Sequence, residues 1–181
     1  MTVLIRPYAP GDFDVICTWF PDEASAVQWG GPDVRYPLDP AQFAAMQQET
    51  EGDTPGRWMF TGVAGEAVAA HAQVVLDWRH GIGRLARVAV SPAFRGKGLA
   101  LPFLRQVVGR VFEQAAMERL ELYVYTFNAA AIATYRRLGF VEEGVRRSSV
   151  KVGAERWDTA IFALLREESD ARALNAGAPS R

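Results

Sequence analysis

From Val88 to Ala100 the chain reads Val-Ala-Val-Ser-Pro-Ala-Phe-Arg-Gly-Lys-Gly-Leu-Ala, a combination suited to holding an anion. The apolar alternation predicts a strand, Arg95, Gly96, Lys97 and Gly98 form a loop, and a helix follows at once. The first N–H groups of a helix have no internal partners, and its dipole places partial positive charge there. Glycines let the backbone approach a ligand closely, and Arg95 and Lys97 add mobile charge, so the segment suits a pyrophosphate. A second pair, Asn128 and Tyr135, is separated by two turns of a predicted helix and shares one face with Ala131 and Ile132 between. Each residue also has a structural use: Asn128 suits an N-cap, Tyr135 a core aromatic, and the two bases a solvated surface.

Competing motifs fit worse. The nucleoside-triphosphate loop G-x-x-x-x-G-K-[ST] is missing. Gly81-Ile82-Gly83-Arg84-Leu85-Ala86 satisfies G-x-G-x-x-A but precedes a strand instead of opening a helix, so it lacks the setting of a dinucleotide site. Cys17 is the single cysteine, which excludes an intrachain disulfide, and with His71 and His80 it makes no zinc spacing; no metal is expected.

These residues need elements to hold them. Thr2 to Arg6 is a short β-rich run, and Gly11-Asp12 opens a helix with Phe13, Ile16, Cys17 and Phe20 at helical spacing. Residues 21–40, rich in Pro and Gly, read as loop with one short helix near Glu23–Gln28; Asp39-Pro40 then starts another helix. Trp58–Val63, Ala67–Leu76 and Leu85–Val90 predict three strands in an antiparallel meander. A long helix runs from Leu99 to Ala116, a strand from Glu121 to Thr126, and a helix from Asn128 to Leu138 that Gly139 ends. Val141–Val152 and Arg156–Leu165 pair as a final hairpin.

A length of 181 residues suits one domain with a sizeable core. The net charge of −1 argues against a globally basic protein, so neither nucleic acid nor a membrane surface is an expected partner. It is a cancellation: residues 1–60 hold nine acids against three arginines, while residues 84–110 hold six bases and no acid. No apolar run is long enough for a signal peptide or a membrane span, and the expectation is a cytoplasmic protein.

Arg95-x-x-Gly98-x-Ala100, after Val90-Ser91-Pro92, resembles the acyl-CoA pyrophosphate loop of the GNAT superfamily of N-acyltransferases. Asn128-x-x-Ala131-x-x-x-Tyr135-x-x-x-Gly139-Phe140 resembles that superfamily's second CoA motif, in the expected order and at the expected distance. Glu142–Arg147 and the closing Trp157–Leu165 resemble its ribosomal-protein and aminoglycoside acetyltransferase-like branches, and the resemblance covers most of residues 57–165. It implies an α/β (α+β) fold: a mixed, mostly antiparallel sheet of about six or seven strands, flanked by helices and splayed between Val88 and Val124 to admit CoA. Residues 1–166 would form one domain, with 1–56 a variable acceptor-side segment, 57–166 the CoA-binding core, and 167–181 a flexible tail.

The implied activity is acetyl transfer from acetyl-CoA to a primary amine of a small molecule or peptide, by direct attack in a ternary complex. Cofactor contacts would come from Val88, Val90, Arg95, Gly96, Lys97, Gly98, Leu99, Ala100, Asn128, Ala131 and Tyr135. Tyr135, a phenol of pKa about 10, would protonate the departing thiolate. A homodimer is a further implication, since dimers are common in the family.

One feature departs from the pattern. Ala86 stands where many members carry a glutamate base, with Arg84 and Arg87 beside it, and arginines pointing inward would hinder an ammonium. His71 is the substitute base to examine, then Asp158 and Glu121, although water alone can carry the proton to solvent. The missing glutamate also motivates an alternative, a non-catalytic acyl-CoA-binding or sensing module. On the acceptor side, Trp29 with Glu23 and Asp33 would make an aromatic, acidic wall for a cationic amine.

Overall fold

The computed structural model describes residues 2–170. Seven strands form one sheet in the order β1-β2-β3-β4-β5-β7-β6: β1 (Leu4–Pro7), β2 (Arg57–Ala64), β3 (Ala67–Asp77), β4 (Ile82–Val90), β5 (Arg119–Tyr125), β6 (Val141–Val152) and β7 (Glu155–Leu165). Every pairing is antiparallel except β4 with β5, as the tight turns within β2–β4 and the helical crossover after β4 require. The expected mixed sheet is therefore observed, with β1 and β6 as its edge strands.

Helix α4 (Ala100–Phe112) forms that crossover and buries Phe103, Leu104, Val107, Val108 and Val111. They pack against Ala70, Ala72 and Val74 of β3 and Leu120 and Leu122 of β5, in a core completed by Tyr135 and Phe140 around α5 (Ala129–Leu138). The opposite face of the sheet is covered by the N-terminal segment: α1 (Phe13–Ile16), α2 (Glu23–Gly30) and α3 (Pro40–Gln48). Ile16, Trp19, Trp29, Phe43 and Met46 form its own apolar cluster on Met59 and Ala89.

Two helices differ from their sequence expectations. The segment after Pro10 is one α-turn between two 3₁₀ turns, not a continuous helix. Asp12 is drawn into the fold, where it accepts from Arg6, from the Ala9 N–H and from Thr61. α4 ends at Phe112, short of Ala116, and the Arg166 guanidinium donates to the carbonyls of Phe112 at its end and of Gln114 and Met117 beyond it. Most of the expected tail, from Ala171 onward, lies outside the described residues.

The glycines of the rejected G-x-G-x-x-A run have a packing role. Gly81 has φ +65°, and its carbonyl accepts the N–H groups of Glu118 and Arg119, docking the β3–β4 turn where β5 begins. A Cβ there would come within 2.4 Å of the Ala116 carbonyl oxygen. Gly81→Ala is expected to destabilise the fold by about 2–4 kcal/mol in urea unfolding, since strain and a backbone clash combine; a loss under about 0.5 kcal/mol would contradict this.

Candidate active site

β4 and β5 are paired only from Ile82–Arg119 to Leu85–Leu122; beyond that point Ala86–Val90 has no ladder partner on β5. The parting begins at a bulge. Ala86 pairs with Gln73 and Ala89 with His71, so Arg87 and Val88 together oppose Ala72, with Arg87 at φ +51°. The added residue bends β4 away from β5. Trp29 holds the bulge from above by donating its indole N–H to the Arg87 carbonyl at 2.7 Å, while stacking on Phe43.

The gap is a cleft of about 900 Å³. At one end lies the start of α4, where Leu99 supplies no side-chain cap and leaves the first N–H groups of the helix available. Gly96 and Gly98 both have φ +73°, and a Cβ on either would face open space, so these positions are glycine for backbone conformation and access. Arg95 lines the cleft and anchors its Nε on the Val90 carbonyl at 3.1 Å. Lys97 is not among the lining residues; its ammonium lies 5.6 Å from the centre of the Phe94 ring. An uncapped helix start, two left-handed glycines and a guanidinium fit a pyrophosphate.

The opposite wall is α5. Asn128 accepts the Ala131 N–H at 3.2 Å as the N-cap, and its side-chain amide nitrogen has no protein partner among the described residues. Asn128, Ala131 and Tyr135 all line the cleft, with Val88, Val90, Gly96, Gly98, Leu99 and Ala100. Tyr135 is almost fully buried, its ring edge-on to Phe140, and burial raises its pKa well above the ordinary phenol value. It is therefore a neutral hydroxyl throughout the working pH range.

The expected base and acceptor wall are placed differently. His71 is fully buried, outside the cleft lining, amid Tyr8, Trp29 and Phe43. Arg57 and Arg87 both donate to the Gln73 side-chain oxygen, at 2.8 and 3.1 Å, so the Gln73 amide nitrogen donates to His71 Nε2 at 3.1 Å. The proton then resides on Nδ1, and burial lowers the imidazole pKa to about 3. A sequestered, non-basic His71 cannot serve as the expected general base. Asp158 is held by the Ser148 N–H and Glu121 by Arg119.

Glu23 and Asp33 are exposed and do not line the cleft, so the acidic wall is not formed. Acids of that segment serve the fold instead: Asp22 caps α2, Asp39 caps α3 and Glu49 pairs with Arg57 at 2.9 Å. Trp29 does line the cleft, beside neutral neighbours such as Ser25 and Gln28. Sequence reading missed Arg146, Ser149 and Thr159, which the β6–β7 hairpin brings to the far rim. No periodicity in β7 signalled Thr159, and the irregular register between Arg146 and Val150 hid the other two.

A parallel strand pair parted over an uncapped helix start has the shape and polarity to suit a long, narrow ligand with one anionic end. The chain matches the acetyltransferase (GNAT) family over residues 16–140 and belongs to it. It is 37% identical over 98 residues to the ribosomal protein bS18-alanine N-acetyltransferase of Escherichia coli K12, covering 54% of this chain and 63% of that one. It is 32% identical over 81 residues to a prophage-derived uncharacterized N-acetyltransferase of Bacillus subtilis, covering 45% and 46%. The chain thus spans about half to three-fifths of these relatives' lengths. The spermidine N-acetyltransferase of Vibrio cholerae, solved with CoA and spermine, shares the fold at a TM-score of 0.78 and 16% identity, over 92% of this chain and 97% of that one.

Proposed function

We propose that this chain transfers an acetyl group from acetyl-CoA to a primary amine by direct attack within a ternary complex. The parted β4–β5 pair carries this reading, since it gives a thioester arm a backbone edge with the helix start of α4 at one end and Tyr135 on the wall. Arg95 and the first N–H groups of α4 hold the pyrophosphate, the free edge of β4 meets the arm's amides, and the Asn128 amide orients it. As the amine nitrogen bonds to the thioester carbon and the carbon–sulfur bond breaks, Tyr135 supplies a proton to the sulfur and then regains one from water. The proton lost by the amine leaves through water, because no carboxylate lines the cleft among the described residues.

Thiol release from acetyl-CoA over a broad amine panel, alongside calorimetry with acetyl-CoA, tests the proposal. Binding with turnover on at least one amine is expected. Binding without turnover would favour an acyl-CoA-binding module, the reading that the absence of a carboxylate also supports, and no binding at millimolar ligand would overturn both.

The placement of His71 yields a separate expectation. The folded protein keeps it neutral down to about pH 3, whereas the unfolded chain takes up a proton below about pH 6.5. Its contribution to stability is full above that pH and declines by up to about 1.4 kcal/mol per unit as pH falls towards 3. His71→Gln should flatten this slope in urea unfolding while leaving the kcat–pH profile unchanged in shape. A profile that loses a limb would restore His71 as the base.

A further inference from the structure

Four arginines, Arg84, Arg87, Arg95 and Arg146, line the cleft, and no aspartate or glutamate does so among the described residues. None of the four makes an ion pair within that part of the chain. Arg95 belongs to the α4 end, which leaves three cations along the rest of the cleft. Arg84 stands on β4 with its guanidinium 5.6 Å from the centre of the Tyr123 ring, on the face away from α4. Arg146 pairs with Thr159, which pairs with Tyr125, so it looks onto the same face from β6.

Arg87 is the most constrained of them. It is partly buried, its one side-chain contact is the neutral Gln73 oxygen, and its Nε has no partner. Arg57 donates to that same oxygen, so the second cation increases the local positive charge, and the Glu49 carboxylate is already paired to Arg57. Desolvation lowers the Arg87 pKa to about 10, and the residue still carries its charge at neutral pH. Glu49 and Asp33 act on this cation only from a distance, without an ion pair, so it still has a place for an anion at the cleft wall, and the planar guanidinium fork matches a carboxylate.

We infer that the acceptor is an amine carrying a carboxylate near its amino group, held by Arg87 with Arg84 and Arg146. A polyamine would instead bring further positive charge against three arginines with no acid to receive it. The inference rests on the cleft being the acceptor site of the proposed transferase. A free amino acid and a peptide N-terminus followed by an acidic residue both present this chemistry.

The test uses matched pairs on the full chain: L-amino acids against their amides, Ala-Glu-amide against Ala-Gln-amide, and spermidine as the polycation. The acid member of at least one pair should show kcat/KM about tenfold or more above its neutral partner. The pair that responds separates a free amino acid from a peptide. Arg87→Gln should abolish that preference with acetyl-CoA affinity kept within about twofold. If Arg87→Gln does not fold, Arg146→Gln, an exposed position, should reduce the preference several-fold.

Calorimetric binding of the same pairs to the CoA-saturated protein reads the preference without turnover. Selective binding of the acid with no turnover would retain the anion subsite and sink the transferase reading. Equal use or binding of acid and neutral members, or faster turnover of spermidine, would overturn the inference.

Discussion

Replacing Tyr135 with phenylalanine is expected to lower kcat about 100-fold while acetyl-CoA binding changes by no more than about twofold. The variant keeps the ring that packs edge-on to Phe140, so the wall of the cleft and the fold remain. Only the hydroxyl is lost. Burial holds that hydroxyl protonated and makes it a weaker acid than a free phenol. It can therefore act only as carbon–sulfur cleavage loads negative charge onto the sulfur, whose basicity the same dry surroundings raise. Binding precedes that moment, which is why the effect falls on turnover. Steady-state rates with parallel calorimetry check this. An unchanged kcat would remove the acid role, and a loss confined to affinity would make Tyr135 a contact residue only.

Gly98→Asp should weaken acetyl-CoA binding by about 100-fold. Two effects combine, each about 1–2 kcal/mol: an aspartate at φ +73° is strained, and its carboxylate faces the pyrophosphate at the start of α4. Gly98→Ala separates them, since it keeps the strain without the charge and should cost about tenfold. Neither side chain meets a neighbouring atom, and an acid at a helix start favours the helix, so the backbone strain is the one cost to folding and urea unfolding of both variants measures it. Full affinity in the aspartate variant would show that the anion binds elsewhere.

The core of this site was legible in the sequence because its signals are local. Gly96, Gly98 and the start of α4 lie within one continuous stretch, and Asn128 with Tyr135 within one helix. The Gly139 cap, at φ +109°, was readable for the same reason. What escaped depended on long-range packing. A strand histidine gives no sign of whether it faces a cleft or an aromatic cluster, and His71 faces the cluster. An acidic segment does not reveal which acids will cap helices, as Asp22 and Asp39 do. Arg146 reaches the rim through a hairpin whose register shifts beside it, which no periodicity announces. Arg84 and Arg87, read as an obstacle to an ammonium, proved to line the cleft.

The bulge at Arg87 has a kinetic consequence. Its carbonyl is tied to Trp29 and its guanidinium to Gln73, so strand separation is maintained by contacts within the protein alone. On the proposed function, an incoming thioester is expected to meet a standing gap and not to pry a ladder open. Stopped-flow mixing should give one association phase whose rate rises linearly with acetyl-CoA concentration, with no plateau from a slow opening step.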